Sequence, residues 1–208
     1  MENSNTLLHI SDSERDANQY YATGILIPDP FIFLQVGEKK MIVVSDLELG
    51  RAKKEAKVDE VISLEEINNT LKKEGQATPS LSDAIAFLFK KHSLSKACVP
   101  SNFPAYYADK LREKGITINV KPNQEAFFET RLVKTEEEIK HLIKTLRYTE
   151  IALKQTIDIV KKSKIKNRYV LYKGKKLTSE FLKNILAIKL LENNCFCDHA
   201  IIACGEHG

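Results

Sequence analysis

Short apolar runs separated by turn residues dominate the first 122 residues of the chain. Three of these runs predict a meander of strands at residues 24–27, 31–36 and 41–45. A capped helix or a loop is predicted before them, at residues 11–21. Beyond them, the pattern predicts helices at 47–57 and 64–73, one opening at Thr78-Pro79, and one at 104–114, with strands at 58–63, 97–100 and 116–120. This order predicts an α/β domain with a mixed sheet and flanking helices, complete by about residue 122.

The longest helical pattern of the chain covers residues 131–162. Thr135 can cap its start, Glu136, Glu137 and Glu138 fall in its first turn, and lysines fall in its last turn. Apolar residues recur mostly three or four positions apart and form one broad stripe: Ile139, Leu142, Ile143, Leu146, Ile151, Leu153, Ile157 and Val160. The pattern therefore predicts a long packed helix at the start of a second domain.

The second domain is predicted to be incomplete. After the long helix, the sequence predicts only a strand at 168–173, a helix at 178–192 and a strand at 199–204. These elements are too few to enclose an independent core. We therefore divide the chain into a first domain at 1–122, a linker at 123–134 and the start of a second domain at 135–208.

Length and composition are those of a globular protein of 208 residues with 43% hydrophobic residues. No apolar run reaches the length of a membrane span, and the N-terminus is polar and acidic, unlike a secretory signal. We expect a cytoplasmic location, no membrane partner and reduced thiols.

Basic residues are concentrated in one segment of the chain. Residues 131–176 carry 14 Lys and Arg against 5 Asp and Glu, a net charge of +9, whereas the whole chain has +4. A nucleic-acid-binding module that uses this segment is therefore an alternative hypothesis. Because many of these lysines fall on the solvent face of the predicted long helix, we do not expect nucleic acid to be a partner.

Possible metal ligands crowd the C-terminus. Five of them lie within thirteen residues: Cys195, Cys197, His199, Cys204 and His207. A small structural-zinc protein is a further alternative hypothesis. However, Cys-x-Cys lacks the wider gap of zinc knuckles, and the apolar residues 201–203 fit a buried strand, so we expect these cysteines to lie in the core.

No other motif indicates a catalytic site. The acidic pair at Asp46 and Glu48 sits at a strand end, and the acidic run at residues 136–138 satisfies a helix N-terminus. Neither has a histidine at a useful spacing. His9, His92 and His141 are isolated in the sequence. A serine-hydrolase elbow, a phosphate-binding loop and a dinucleotide fingerprint are all absent from the sequence. We name no catalytic, cofactor-binding or metal-binding residue.

Stretches in three parts of the chain resemble, in the correct order, the Xaa-Pro aminopeptidase and Xaa-Pro dipeptidase (prolidase, creatinase-like) family. Residues 16–24, DANQYYATG, resemble the opening of its N-terminal domain. Residues 127–144, FFETRLVKTEEEIKHLIK, resemble the linker into its catalytic half. Residues 177–182 and 200–206 resemble a helix start and an Ile-Val-Ala-Ser-Gly strand of that half, with Cys204 where serine is usual.

The resemblance implies a creatinase-type N-terminal domain followed by the start of a pita-bread metallopeptidase domain. It also implies a parent enzyme that hydrolyses the bond before proline in peptides, with two divalent metal ions (manganese, cobalt or zinc), and that is a homodimer. In the family, the two Asp, one His and two Glu that hold the metals all follow the Ala-Ser-Gly strand, and His207 stands too close to Gly205 for the family's substrate-binding histidine. We therefore expect no cofactor in these 208 residues and no activity from them alone.

Overall fold

A computed structural model of the protein describes residues 6–122 and 125–204. The chain divides into two compact units, Met1–Val133 and Lys134–Gly208. Within the described residues, no helix has both the length and the apolar character needed to cross a membrane. The two units are described separately below.

The first unit is built on a mixed sheet with the strand order β4-β3-β2-β1-β5-β6. Its strands are β1 (Thr6–Ser11), β2 (Phe31–Val36), β3 (Lys39–Val44), β4 (Glu60–Ser63), β5 (Lys96–Val99) and β6 (Thr117–Val120). Its helices are α1 (Ala17–Thr23), α2 (Asp46–Glu55), α3 (Leu64–Lys73), α4 (Leu81–Lys91) and α5 (Ala105–Glu113). β2 pairs antiparallel with β1 and β3, whereas β4 and β5 pair parallel with β3 and β1. The predicted α/β class with a mixed sheet is thus confirmed.

Both faces of this sheet are buried, which explains why its strands appear in the sequence as continuous apolar runs. Successive side chains point to opposite faces, so Leu8 and Ile10 join one core with residues of α3, α4 and α5. Leu7 joins the other core, which contains residues of α1 and α2. That second core also contains Phe127 and Phe128, which the sequence analysis assigned to the linker.

The N-terminal strands differ from the prediction. Residues 24–27 are not a strand, because Gly24 ends α1 with φ 66° and the backbone of Ile25 and Ile27 hydrogen-bonds the side chain of Ser13. The strand beside β2 is instead β1, which lies within the sheet between β2 and β5. β1 was not predicted from the sequence, because it pairs with segments further along the chain.

The second unit contains two helices, α6 (Glu136–Lys161) and α7 (Ser179–Leu191), which contact each other. Thr135 and Glu138 form a capping box at the start of α6, as the prediction of its start implied. Thr178 caps α7 through the backbone N–H of Phe181. A small antiparallel sheet lies between them in sequence and has the order β7 (Lys164–Lys166), β8 (Tyr169–Tyr172) and β9 (Lys175–Lys176).

Two expectations for the second unit are wrong. Within the described residues, the apolar stripe of α6 is not packed, since its side chains are 42–60% exposed and only Ala152, Thr156 and Ile159 of this helix are buried. The residues predicted as a strand at 199–204 have no regular structure, and Ile201 is 90% exposed. In the part of the chain that is described, no neighbouring strand supplies the hydrogen bonds that a strand there would need.

Candidate functional site

A buried polar cluster lies beside the end of β1 in the first unit. His9 is 1% exposed, and its Nε2 lies 3.1 Å from Oδ2 of Asp16. Asp16 caps α1, because its Oδ1 accepts hydrogen bonds from the backbone N–H groups of Asn18 and Gln19 at 2.8 and 2.9 Å. Asn102, in the segment after β5, donates a hydrogen bond of 2.7 Å to Oδ2 of Asp16. The Asp16 carboxylate therefore links the end of β1 and the start of α1, which are close in sequence, to a segment 86 positions away.

The surroundings of Asp16 favour its ionised form. Burial by itself raises the pKa of this carboxyl group, but the contact with His9 and the hydrogen bonds from Gln19 and Asn102 outweigh it and hold the pKa well below its usual range. The ionised carboxylate accepts three hydrogen bonds and lies within ion-pair distance of His9 Nε2, so it serves as an anchor for the fold. A general acid needs the opposite shift, a raised pKa.

A polar cleft of about 350 Å³ lies next to this cluster, where the parallel strands β5 and β6 end. Its lining includes Asn18, Asn102, Lys121 and Arg131. Arg131 Nη1 donates a hydrogen bond of 2.6 Å to Oδ1 of Asn18, and Lys121 Nζ lies 3.5 Å from Oε1 of Glu129. The Arg131 contact holds the segment after β6 against the start of α1, whereas the Lys121 contact lies within that segment. The residues described around the cleft contain no arrangement of nucleophile and base.

The thiol of Cys98 on β5 is not an activated nucleophile. Burial raises its pKa, and the nearby Lys121 only partly offsets that effect. The acidic residues singled out in the sequence also have structural roles. Asp46 and Glu48 lie in the first turn of α2, and Glu48 binds Arg51 at 2.6 Å.

The C-terminal cysteines and histidines do not form a metal site in the described residues, in which no group of three or more potential ligands is found. Cys195 and Cys197 are half-buried and Cys204 is exposed, so the expectation that these thiols lie in the core is wrong. His199 lies 3.3 Å from the Asp198 carboxylate and is 90% exposed. His207 lies outside the described residues. The described side chains therefore do not fit the two-metal centre that the family resemblance implies for the parent enzyme.

The cluster around Asp16 was not recognised in the sequence, because Asn102 is far from the other members in the chain. His9 was considered isolated, and Asp16 was noted only as part of a resembling stretch. The hydrogen bond between Asn102 and Asp16 spans 86 positions. Only the parallel pairing of β1 with β5 brings these residues together.

No protein-family model matches the sequence, and no curated protein matches it. Solved structures do match. The prolidase of Pyrococcus horikoshii OT3 has a TM-score of 0.62 at 17% identity, covering 91% of this chain and 45% of that one. The Xaa-Pro aminopeptidase of Thermotoga maritima MSB8 has a TM-score of 0.67 at 12% identity, and the match covers 91% of this chain and 47% of that one. The Xaa-Pro dipeptidase of Bacillus anthracis has a TM-score of 0.68 at 12% identity, and the match covers 91% of this chain and 45% of that one.

The chain has part of the fold of a prolidase-type peptidase. Its six-stranded mixed sheet and flanking helices match the N-terminal domain of those proteins. The resemblance stated from the sequence is thus confirmed at the level of fold. The chain spans less than half the length of these three solved structures.

Proposed function

We propose that the chain is the front part of an Xaa-Pro peptidase. In this proposal the parent enzyme hydrolyses the peptide bond before proline with two divalent metals, and the present residues provide the N-terminal domain and the first helices of the catalytic domain. The observation that supports it is a fold match covering 91% of the chain, and therefore parts of both units, at TM-scores of 0.62 to 0.68.

The exposed stripe of α6 gives independent support. Eight apolar side chains on one helix face, each 42–60% exposed in the described structure, form the kind of surface that a further layer of protein covers. In the proposal, that layer is the rest of the catalytic domain. The metal ligands belong to the same missing layer, so the 208 residues alone are inactive. The parent enzyme is expected to be a homodimer.

The activity of the chain tests the proposal directly. Purified chain is incubated with an Xaa-Pro dipeptide and an Xaa-Pro tripeptide, each with added Mn²⁺, Co²⁺ or Zn²⁺, and release of the residue before proline is followed by chromatography. We expect no turnover above the metal-only control. Turnover that tracks the purified chain would show that catalytic ligands lie within these residues, and would overturn this part of the proposal.

The encoded sequence after Gly208 tests the identity of the parent. We expect it to contain two Asp, one His and two Glu that serve as metal ligands, following the stretch that resembles the Ala-Ser-Gly strand. A reading frame without such residues would contradict the proposed peptidase activity of the parent, while the fold match would remain.

A further inference from the structure

A strong concentration of positive charge lies at the end of α6 and in the segment that follows it. Residues 159–179 contain seven Lys and one Arg but no Asp or Glu, a net charge of +8. The sequence analysis attributed the basic segment to the solvent face of the long helix. In the structure, five of these eight residues lie instead on the three-stranded sheet β7-β8-β9 and its first turn: Lys164, Lys166, Arg168, Lys175 and Lys176.

Strand register sorts the lysines of this sheet onto one face. Lys166 pairs with Tyr169, and both Lys164 and Lys176 pair with Leu171. Directly paired residues of an antiparallel sheet share a face, and Tyr169 and Leu171 are two positions apart, so all five side chains lie on the same side. All three of these lysines are exposed. We call this side of the sheet the lysine face.

The opposite side of the sheet has a different character. Ile165 pairs with Val170, and Tyr172 pairs with Lys175, so these four residues share the other face. The Tyr172 ring lies 6.2 Å from the ring of Phe181 on α7, measured between centroids. This side therefore faces α7, which leaves the lysine face directed away from that helix.

One aromatic ring lies on the lysine face, at the first residue of β8. Tyr169 is 52% exposed, and Nζ of Lys176 lies 4.4 Å from the centroid of its ring. Such a contact is a cation–π interaction, which holds the lysine over one side of the ring and concentrates positive charge beside an accessible aromatic surface. The turns at both ends of β8 add Arg168 and Lys173, which have positive φ values of 66° and 49° and are exposed.

This chemistry fits a single-stranded nucleic acid. Exposed lysines around an exposed aromatic ring on a sheet can neutralise phosphates while the ring stacks on an unpaired base. A duplex offers no unpaired base to the ring. An anionic membrane is favoured less, because its binding gains from inserted apolar side chains, and the exposed Ile165 of this sheet lies on the opposite side.

We infer that the lysine face of the β7-β8-β9 sheet is a binding surface for single-stranded nucleic acid, in which Lys164, Lys166 and Lys176 contact phosphates and Tyr169 stacks on a base. This surface is separate from the proposed peptidase function, since it uses no residue that the family resemblance assigns to the substrate or the metals. Its failure in a test would leave that function untouched.

The test is fluorescence anisotropy of labelled 12-nucleotide oligo(dT) and oligo(U) with the full chain, between about 50 and 200 mM KCl. Each phosphate contact to a single strand contributes about 0.7 to the slope of log K against log salt. Replacing Lys164, Lys166 and Lys176 by Gln should therefore reduce the magnitude of the slope by about 2. The control triple, Lys54→Gln, Lys72→Gln and Lys73→Gln, removes the same charge from exposed positions of the first unit and should leave the slope unchanged.

Two neighbouring residues of β9 provide the sharper comparison. Lys176→Gln should reduce the magnitude of the slope of log K against log salt by about 0.7. Lys175→Gln, on the opposite side of the same strand, should not change this slope. Tyr169→Ala should weaken binding by about 5- to 150-fold through loss of stacking, and Tyr169→Phe should keep the affinity. Because these side chains are exposed, unchanged far-UV circular dichroism is expected for every variant.

Five results would overturn the inference. The first four are the absence of oligonucleotide binding at 50 mM KCl, equal losses of affinity for Lys175→Gln and Lys176→Gln, tighter binding of a duplex of the same length, and binding to phosphatidylserine vesicles without binding to the oligonucleotides. An equal loss of affinity in the two triple variants would likewise reduce the effect to overall charge and would contradict a defined surface.

Discussion

Phe128 gives the most direct test of how far the core of the first unit extends along the chain. It is 9% exposed, and its ring meets those of Phe33, Phe127 and Tyr21 at centroid distances of 5.8, 4.8 and 5.9 Å. The contacts with Phe33 and Phe127 are edge-to-face, a favourable geometry for aromatic pairs. We therefore expect Phe128→Ala to destabilise the first unit severely.

The size of the effect follows from the buried position. Truncation of a buried phenylalanine to alanine costs about 3–5 kcal/mol, because it removes apolar burial and leaves a cavity. We take the lower end, about 3 kcal/mol, because the segment around Phe128 lies at the edge of the core and can partly collapse. With a urea m-value of roughly 1.5–2 kcal/mol per M, the midpoint of unfolding should fall by about 1.5–2 M.

The assay is urea unfolding of the full chain followed by far-UV circular dichroism, with hydrogen exchange of peptides covering β2 and β3 to assign the change to the first unit. Phe196→Ala is the matched control, since Phe196 is 85% exposed in the second unit and its truncation should change stability by no more than about 0.5 kcal/mol. Phe128→Leu should cost about 1 kcal/mol, because it nearly conserves volume. If Phe128→Ala shifts the midpoint no more than Phe196→Ala does, Phe128 is not part of this core.

Three further predictions concern charge, capping and exposed apolar surface. The pKa values of Asp16 and Asp83 are held below their usual range, so their ionised forms stabilise the fold above about pH 4. This contribution is lost as the pH falls through the lowered folded-state pKa values. The urea midpoint should therefore fall steeply below pH 4, and it should fall less steeply in Asp16→Asn. Thr135→Ala should cost about 1 kcal/mol of α6 stability, which is measured as faster hydrogen exchange of the first-turn amides. Thr135→Ser keeps the capping hydroxyl and should not change the exchange. Equal hydrogen exchange in the two variants would rule out the cap. The exposed stripe of α6 should bind the dye ANS, and Leu142→Glu with Leu146→Glu should reduce the fluorescence; an undiminished signal would place the dye elsewhere.

Local patterns in the sequence predicted most of the elements correctly, because the signals involved are local. The helix predicted at 64–73 appears as α3 (Leu64–Lys73), and the long helix begins at the cap that Thr135 indicated. The alternation of strands with helices predicted the α/β class. A resemblance carried by short stretches in three parts of the chain also indicated the prolidase-type fold that the solved structures share.

Pairing between distant segments decided the rest, since no local pattern encodes it. Thr6–Ser11 forms a strand within the sheet because β2 and β5 hydrogen-bond it on both sides. Residues 199–204 are irregular because no strand in the described chain pairs with them. The same pairing with β5 brought His9 and Asp16 to Asn102. In the second unit, strand register placed Lys164, Lys166 and Lys176 on one face, which the count of basic residues along the sequence did not reveal. Composition and periodicity thus set the elements, whereas hydrogen bonding across the sheets set which side chains meet, because a strand has no stable conformation apart from its neighbours.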